Sequence, residues 1–338
     1  MIREAISALV SGRSLSTDEA AAVMEEIMTG EATPAQFAAF VTALRMKGET
    51  ADEITGLARV MRQKAARVEI AEPTVDTCGT GGDGQGTFNV STAAAFVVAG
   101  AGLKVAKHGN RAMTSHCGSA DVLEALGVRI DLGPEGVRDC LERAGIGFMF
   151  APVFHPAMKY AVGPRREIGI RTVFNILGPL TNPAGAGAQV VGVSDVSVAP
   201  EMAWVLQELG CRHGMVIHGE DGLDEISISG TTSVWEVSPH DITCKTITPE
   251  EFGLPRASID DIRGGSAEEN AAMLKGVLGG ERGPRRNIVL LNAAAALVVG
   301  GLRDNLAAGV ELASEVIDSG AALSRLDALL LASREFGE

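Results

Sequence analysis

The sequence has 338 residues, enough for about two domains of ordinary size, and 46% of them are hydrophobic, which excludes an intrinsically disordered chain. The formal net charge of −14 excludes the general basic surface that nucleic acids and anionic membranes need, so we expect neither as a partner. Aromatic residues make up only 4% while glycine contributes 41 residues, which is typical of an α/β protein with an Ala/Val/Leu core.

The cysteines and the longest apolar stretch bear on where the protein works. Five cysteines are scattered without a CxxC pair, which is typical of reduced thiols and leads us to expect a cytoplasmic protein. The first residues predict an amphipathic helix rather than a signal peptide. The apolar stretch at 288–302 contains Asn292 and is shorter than the ~20 residues that span a bilayer, so it predicts a buried helix.

Residues 1–70 predict a small α-helical domain. Three capping boxes begin at Ser16, Thr33 and Thr50, each with a Glu or Gln three positions later. Pro34 occupies the favoured first position of its helix. We therefore expect three short helices in series after the N-terminal one.

From residue 71 strand-like runs alternate with helical ones, which indicates a mainly parallel central sheet flanked by helices. The predicted strands cover residues 74–78, 103–106, 128–131, 147–150, 189–193 and 214–218, with an added strand pair at 233–237 and 243–248. The predicted helices cover residues 92–99, 119–126, 136–144 and 199–209, with four more between 266 and 334. We expect residues 71–153 and 184–338 to form this α/β domain.

The segment 154–183 interrupts the alternation of strands and helices. It is partly helical, contains several prolines and is basic in its middle. We expect it to return to the helical domain and to close a cleft between the two domains.

The stretch DTCGTGGDGQGTFNVST, residues 76–92, contains the letters G-x-G-x-x-G. A dinucleotide site requires a helix to begin within the glycines and an acid to end the next strand, about 20 residues on. Here no helix can begin before Asn89 or Ser91, and the next strand ends in Lys107. The stretch therefore favours a phosphate cradle of backbone N–H groups, placed at the start of a helix, over a dinucleotide site or a purely structural turn.

A second loop, KHGNRAMTSHCGSAD at residues 107–121, follows the next predicted strand. It brings Lys107 and Arg111 to the C-terminal end of that strand, where ligands bind in open α/β sheets, and Ser119 is placed to cap the following helix. Together the two loops predict one local anion site in an acidic protein, although a solvated basic loop is the alternative.

Two further segments offer charged groups for small ligands. Asp224 and Glu225 lie in the turn GEDGLDEIS, where both carboxylates can be directed at one Mg²⁺ ion, although the residues alone also fit an exposed acidic loop. Arg165 and Arg166, in the segment PRRE, each offer a planar fork that matches a carboxylate. The residues alone do not choose between the two arginines.

Three motifs together, GTGGDGQGTFNVST, KHGNRAMTSHCGSADVLEALG and RREIGIRTVFNILGPLTNP, resemble the anthranilate phosphoribosyltransferases of tryptophan biosynthesis. The resemblance extends from the helical domain to the C-terminal helices. It implies a homodimer whose subunit has a small helical domain and a large α/β domain of the nucleoside-phosphorylase type. It also implies that the 5-phosphoribosyl group passes from 5-phosphoribosyl 1-pyrophosphate to the amino group of anthranilate, with release of pyrophosphate and with Mg²⁺, two ions per subunit.

The resemblance assigns roles to the matching positions. Eighteen residues would surround the phosphoribosyl donor: Gly79, Gly82, Asp83, Thr87, Asn89, Val90, Ser91, Thr92, Lys107, His108, Gly109, Asn110, Arg111, Ala112, Met113, Thr114, Ser115 and Ser119. Gly79, Asn110 and Arg165 would contact anthranilate, with Arg165 favoured over Arg166. Ser91 would bind one Mg²⁺, and Asp224 with Glu225 would bind the second.

No side chain is expected to act as a general acid or base. The arylamine of anthranilate is neutral at pH 7, so catalysis would consist of positioning and of electrostatic stabilisation of the leaving pyrophosphate. The six histidines form no obvious catalytic cluster, and His155, His213, His218 and His240 are expected to be structural.

The sequence departs from the family pattern at 115–117, where Ser-His-Cys stands in place of the more usual Ser-Lys-Ser. Histidine titrates near pH 6.5, so donor affinity should weaken as pH rises through neutrality if His116 touches phosphate. Three other functions stay open from the sequence: a pyrimidine nucleoside phosphorylase of the same superfamily, a dinucleotide-binding oxidoreductase and a non-catalytic anion-binding relative.

Overall fold

The computed structural model describes residues 1–112 and 117–337. Four helices open the chain: α1 (Ile2–Val10), α2 (Thr17–Thr29), α3 (Pro34–Lys47) and α4 (Ala51–Lys64). All three predicted capping boxes are present, because Ser16, Thr33 and Thr50 each accept the amide of the third helical residue, whose side chain accepts the cap amide in return. The predicted small helical domain is therefore confirmed.

A seven-stranded sheet forms the centre of the described α/β region. Its strands are β1 (Thr74–Gly79), β2 (Lys104–Gly109), β3 (Ile146–Phe150), β4 (Ala188–Gly192), β5 (His213–Gly219), β6 (Thr232–Val237) and β7 (Ile242–Ile247). The order across the sheet is β3-β2-β1-β4-β5-β6-β7, with β1 to β5 parallel and the last two strands antiparallel. This confirms the mainly parallel sheet with an added strand pair.

Ten further helices follow in the described residues, and most of them cover or flank the sheet. They are α5 (Val90–Gly100), α6 (Ser119–Leu126), α7 (Pro134–Ala144), α8 (Ala151–Phe154), α9 (Lys159–Ile168), α10 (Ala199–Glu208), α11 (Ala267–Leu278), α12 (Pro284–Val299), α13 (Leu306–Asp318) and α14 (Ala321–Glu335). The apolar stretch predicted as a buried helix is α12, which is buried from Ile288 to Val299. None of the helices in the described residues is long and apolar enough to cross a membrane.

The predicted strand at 128–131 is wrong. Val128, Ile130 and Leu132 are buried and alternate with exposed neighbours, which is the pattern that suggested a strand. Among the described residues the segment pairs with no strand and is an extended connection, and the amide of Arg129 donates to the Ser333 hydroxyl of α14 at 3.2 Å. Packing of an extended chain against a helix produces the same two-residue burial period as a sheet.

The segment 154–183 packs with the helical domain. Ala161, Phe174 and Leu180 belong to the same buried apolar cluster as the core residues of α1 to α4. The rings of Phe37 and Phe174 lie 5.2 Å apart, centroid to centroid. This packing supports the proposal that residues 1–70 and 154–183 form one domain and that 71–153 with 184–338 form the other.

Candidate active site

The site lies where the order of the parallel strands reverses. From β1 the chain moves outward through β2 and β3, and then returns to β4 on the other side of β1. The ends of β1 and β4 are paired at Gly79 and Gly192. In open α/β sheets ligands bind in the crevice at this reversal, outside the carboxyl ends of the strands.

The glycine-rich loop joins β1 to α5 at this point. Gly81, Gly82, Gly84 and Gly86 have φ values of 65°, 75°, 70° and 66°, in the left-handed region that favours glycine. Helix α5 begins at Val90 after Asn89, so the loop does continue past the glycines as predicted. The N–H groups of the loop and the positive end of the α5 dipole favour an anion at this point.

Asp224 and Glu225 face this loop from the connection between β5 and β6. The amide of Gly81 donates to Asp224 Oδ2 at 2.7 Å, and the amide of Ser91 donates to Glu225 Oε1 at 3.1 Å. The structure therefore brings the predicted acidic pair to the glycine-rich loop and to Ser91, which excludes the exposed acidic loop.

The acidic pair fits only because both paired strands end in glycine. A Cβ atom on Gly79 would lie 2.2 Å from Asp224 Oδ2, and one on Gly192 would lie 1.7 Å from the Asp224 carbonyl oxygen. Sequence reasoning missed Gly192, because its partner is distant in the sequence and no local motif marks it.

Two sets of hydrogen bonds hold the turn that carries Asp224 and Glu225, the acidic turn. Ile226, which follows Glu225, exchanges two hydrogen bonds with the Asn292 side chain of α12, at 2.9 and 3.1 Å. The Asp221 carboxylate accepts hydrogen bonds from the hydroxyls of Ser227 and Ser229. These contacts leave the Asp224 and Glu225 side chains little freedom to turn away from the loop.

Negative charge is concentrated at this point. Burial, followed by the nearby Asp83 carboxylate, raises the pKa of Asp224 to about 6. Burial, followed by Asp224, raises the pKa of Glu225 well above its ordinary value. Ionised carboxylates held together in this way are stabilised by a cation.

A metal ion here would need ligands from outside the acidic pair. Within residues 1–112 and 117–337 no three His, Cys, Asp or Glu side chains are gathered closely enough to hold a metal ion. Mg²⁺ usually takes one or two carboxylates and completes its shell with water and substrate phosphate oxygens. The hydroxyl of Ser91 and the carboxylates of Asp224 and Glu225 suit this pattern.

Lys107 lies within a strand of the sheet and not in the loop that follows it. It belongs to β2, and its side chain is buried. Its Nζ donates to the Thr77 carbonyl at 2.5 Å and to the Ser91 hydroxyl at 3.4 Å. Burial lowers the pKa of Lys107, and the carboxylate of Asp76 opposes that effect. The buried ammonium group thus supports the Ser91 hydroxyl from within the sheet.

The second loop also differs from expectation. The Arg111 guanidinium is bound to the carboxylates of Asp121 and Glu124 at 2.7 to 3.0 Å, so its charge is already paired. Ser119 is the first residue of α6 and not its cap, because Gly118 takes that position and its amide donates to Asp121 Oδ2. Met113, Thr114, Ser115 and His116 lie outside the described residues.

The remaining donor-site candidates contribute mainly through backbone or structure. The side chains of Val90 and Thr92 are buried, and the His108 ring is buried against the Gly178 carbonyl at 3.3 Å. Asn89 donates to the Cys117 carbonyl at 3.1 Å, which ties the two loops together. Gly109 allows Ser119 to approach, since a Cβ there would lie 2.2 Å from Ser119 Oγ.

The remaining predicted positions lie around these groups. Thr87 forms an isolated antiparallel bridge with Arg263. The Asn110 side chain accepts from the Arg111 amide at 2.8 Å, and the amide of Ala112 donates to Asp121 Oδ2 at 2.9 Å.

Arg165 is placed on α9, in the segment that packs with the helical domain. Its guanidinium carbon lies 5.5 Å from the centroid of the Phe174 ring, and burial lowers its pKa. Arg166 is exposed on the same helix. A half-buried guanidinium stacked on an aromatic ring is the better oriented of the two for a planar carboxylate.

Arg171 contacts the glycine-rich loop and was not singled out from the sequence. Its Nη1 donates to the Gly81 carbonyl at 3.0 Å, and the Ser194 hydroxyl donates to the same oxygen at 3.0 Å. A cavity of about 40 Å³ beside these groups is also lined by Arg45 of α3 and by Glu49, two residues after that helix ends.

Known proteins share the sequence and the fold over nearly the whole chain. The helical bundle domain of a glycosyl transferase family matches residues 3–65, and the a/b domain of that family matches 71–323. The anthranilate phosphoribosyltransferase of Chloroflexus aggregans (strain MD-66 / DSM 9485) is 59% identical over 335 residues, covering 98% of each chain. That of Dehalococcoides mccartyi (strain CBDB1) is 56% identical over 336 residues, covering 99% of this chain and 98% of its own.

Solved structures of anthranilate phosphoribosyltransferases share the fold of this chain. The crystal structure of anthranilate phosphoribosyltransferase from Thermus thermophilus has a TM-score of 0.93 and 45% identity, covering 98% of this chain and 99% of its own. The enzyme from Saccharomyces cerevisiae in complex with PRPP and Mg has a TM-score of 0.92 and 30% identity, covering 99% and 98%. The chain therefore belongs to the anthranilate phosphoribosyltransferases, glycosyltransferases of tryptophan biosynthesis with a small helical domain and an α/β domain.

Proposed function

We propose that the glycine-rich loop and the first turn of α5 bind 5-phosphoribosyl 1-pyrophosphate, and that anthranilate lies between this loop and Arg165. The left-handed glycines and the N-terminus of α5 support the first part, because the glycine turns offer N–H groups and the helix offers its positive dipole end to a polyanion. The oriented guanidinium of Arg165 supports the second. Gly79 and Asn110 are proposed to border both substrates.

Mg²⁺ is proposed to bind with the donor. The Ser91 hydroxyl would hold one ion, and the carboxylates of Asp224 and Glu225 would hold a second, with phosphate and water oxygens completing each shell. When bound, Mg²⁺ neutralises charge on the pyrophosphate so that it can leave. The Saccharomyces cerevisiae relative described in complex with PRPP and Mg supports the use of this ion.

The proposed reaction uses positioning rather than proton transfer by a side chain. The lone pair of the anthranilate nitrogen forms a bond to C1 of the ribose while the bond from C1 to the pyrophosphate oxygen breaks. The nitrogen then loses one proton to water. Arg165 orients the acceptor through its carboxylate, and the loop amides stabilise the charge that develops on the leaving group.

The observation that carries this proposal is the placement of Asp224 and Glu225 against the amides of Gly81 and Ser91, at the strand reversal. The direct test is a steady-state assay that follows the loss of anthranilate fluorescence with the phosphoribosyl donor, with and without Mg²⁺. We expect turnover only when all three are present.

Paired variants test the metal assignment. Asp224→Asn with Glu225→Gln should abolish Mg²⁺-dependent turnover. The control is Glu250→Gln with Glu251→Gln, which removes two adjacent exposed acids from a short 3-10 helix that carries no predicted site residue and should leave turnover unchanged. Turnover that survives in the first pair would contradict the assignment.

The other candidate functions predict different substrates. A pyrimidine nucleoside phosphorylase would release base from thymidine in the presence of phosphate, and an oxidoreductase would bind NAD(P)H in a fluorescence titration. We expect neither activity. A non-catalytic relative would bind the donor without consuming anthranilate.

A homodimer in the cytoplasm is proposed for the whole protein. The family resemblance supports the dimer, and the five cysteines, all free in the structure, are compatible with a reducing compartment.

A further inference from the structure

Gly81 is held at both of its backbone polar groups. Its N–H donates to Asp224 Oδ2 at 2.7 Å, while its carbonyl accepts from Arg171 Nη1 and from the Ser194 hydroxyl, each at 3.0 Å. The three partners lie more than 80 residues away in the sequence, in three different segments. A loop residue with this many distant partners has its orientation fixed by the fold rather than by its own turn.

The two groups that bind the Gly81 carbonyl, from Arg171 and Ser194, are themselves held in place. The Ser194 amide donates to the Thr80 hydroxyl at 3.3 Å, and the Thr80 amide donates to the Gly192 carbonyl at 2.9 Å. Arg171 lies directly against the loop, since a Cβ on Gly82 would come within 1.4 Å of Nη1. The absence of a side chain at Gly82 is thus what allows the guanidinium to reach the Gly81 carbonyl.

The direction of the Gly81 carbonyl matters for an anion site. Glycine reaches both signs of φ at little cost, so an unrestrained glycine peptide can turn over and present its carbonyl oxygen where an N–H is needed. A carbonyl oxygen facing pyrophosphate repels it, whereas an N–H attracts it. A charged donor that holds the carbonyl away from the anion prevents this exchange.

Arg171 also connects the two halves of the proposed site. It follows α9, the helix that carries Arg165, in the segment that packs with the helical domain. Its side chain crosses to the loop of the α/β domain. Arg171 and Asp224 bind the carbonyl and the N–H of the same residue, Gly81, so the positive charge of Arg171 lies near the acids of the site.

We propose that Arg171, assisted by Ser194, is a positioning residue for the donor: it holds the Gly81 carbonyl so that the Gly82 N–H, on the opposite side of the same peptide bond, faces the pyrophosphate. This inference rests on the proposed function, because it assigns the donor to the glycine-rich loop. It adds a residue that acts on donor binding through its contact with the loop. The effect of removing Arg171 is therefore expected on donor affinity and not on anthranilate affinity.

The test compares Arg171→Gln with a matched control elsewhere in the chain. Arg334 donates to the carbonyl of Gly127, another glycine of positive φ, and a Cβ on Gly127 would lie 2.2 Å from its guanidinium. Arg334→Gln thus removes an equivalent arginine-to-glycine contact far from the site. Calorimetric titration with the phosphoribosyl donor and Mg²⁺ gives donor affinity, and steady-state kinetics gives the Michaelis constant of each substrate.

We expect Arg171→Gln to raise the donor dissociation constant and Michaelis constant by about five- to tenfold, less than the full loss of one charge-assisted hydrogen bond, because Arg171 acts on the donor only through the loop. The anthranilate Michaelis constant and kcat should stay within about twofold, and the melting temperature should match that of Arg334→Gln within about 2 °C. Arg171→Lys should recover part of the donor affinity, because it keeps the charge. Adding Ser194→Ala to Arg171→Gln should weaken donor binding further, since both groups hold one oxygen.

Two results would overturn the inference. One is donor affinity that stays within twofold of wild type in both Arg171→Gln and the double variant. The other is an equal rise in both Michaelis constants together with a lower melting temperature, which would indicate general destabilisation. A wild-type protein without turnover would instead refute the proposed function, so the two failures are distinguishable.

Discussion

Burial of the Asp224 carboxylate makes the stability of the metal-free protein depend on pH. Its pKa is about 6 in the folded protein, raised by burial and by Asp83, against an ordinary value near 3.9 in an unfolded chain. The folded state therefore holds the proton more tightly, so stability falls as pH rises above the unfolded pKa, and the full cost is present once pH exceeds the folded pKa. The cost disappears as pH falls below the unfolded value.

We accordingly predict that Asp224→Asn stabilises the metal-free protein at pH 8, by about 1–3 °C in melting temperature, and has a smaller effect near pH 4.5. The amide oxygen of Asn can still accept from Gly81, so the loop contact is retained. Thermal melts in EDTA at the two pH values measure the difference. Asp241→Asn, at an exposed turn, serves as the control and should change neither melt. An equal gain at both pH values would show that the charge is not the cause.

Arg165 and Arg166 are neighbours in sequence with different surroundings, and a substitution separates their roles. Arg165→Ala should raise the anthranilate Michaelis constant by about tenfold or more, because it removes a charged contact to the substrate carboxylate. Arg166→Ala, on the exposed side of α9, should leave that constant within about twofold. Steady-state kinetics with each substrate varied in turn measures both. A rise in the donor constant alone for Arg165→Ala would mean that the two substrates lie at the opposite ends of the site.

Arg111 shows where reasoning from single residues fails. The sequence indicates that Arg111 offers a positive charge in the second loop. The residue lies in that loop, but its guanidinium forms ion pairs with Asp121 and Glu124, ten and thirteen residues later. Both acids lie on the first turns of α6, a position that could have been checked from helix periodicity. Arg171 carried no such local signal, because its partner Gly81 is 90 residues away.

At the scale of elements, β1 and β4 must both end in residues without side chains. The Asp224 backbone passes so close to Gly192 that an added methyl group would overlap its carbonyl oxygen, 1.7 Å from the Cβ position. Gly192→Ala must displace the acidic turn or the strand end. We predict a loss of turnover of about 100-fold and a destabilisation of about 1–3 kcal/mol, the usual cost of overpacking.

Gly133→Ala is the matched control for this prediction. Gly133 precedes α7, has φ −77°, and has no atom within 4 Å of its Cβ position. It should retain turnover and lose little stability. Denaturant unfolding and the anthranilate assay measure both variants, and a Gly192→Ala protein with normal turnover would show that the acidic turn tolerates displacement.

Element prediction from the sequence succeeded where a local signal exists. The capping boxes at Ser16, Thr33 and Thr50 fixed the starts of three helices, because a cap is a contact within four residues. The false strand at 128–131 and the false cap at Ser119 share one cause. In both cases a contact that the local pattern does not show determines the structure. Residues 128–131 pack along α14, where Arg129 donates to Ser333, and Gly118 becomes the cap of α6 because its amide donates to Asp121.

At the scale of the whole molecule, the sequence indicates a parallel sheet but not the order of its strands. The position of the site depends on that order, since only adjacency of β1 and β4 brings Gly79, Gly192 and Asp224 together. The family resemblance did not give the strand order, but it assigned the glycine-rich loop, Asp224 and Glu225 to one Mg²⁺-bound donor from the sequence alone. Without it, the glycine-rich loop and the acidic turn would have remained two separate hypotheses.

The helical domain exposes apolar side chains that a small unit does not need for its own core. Val10 is 74% exposed and Met46 is 83% exposed, on α1 and α3, which pack against each other. Tyr160, Val162 and Ile170, in the returning segment, are exposed as well. Such residues are typical of a surface that a partner covers.

We predict that this surface forms the dimer contact. The wild-type protein should sediment at twice the mass of one chain, and Met46→Glu combined with Val10→Glu should weaken dimerisation by about 100-fold or more, because a two-fold axis places each new charge in the interface twice. Sedimentation velocity over a range of concentrations measures the constant. Leu331→Glu, at a residue 56% exposed on α14, is the control and should remain dimeric. Dissociation by Leu331→Glu alone would place the contact on the C-terminal helices instead.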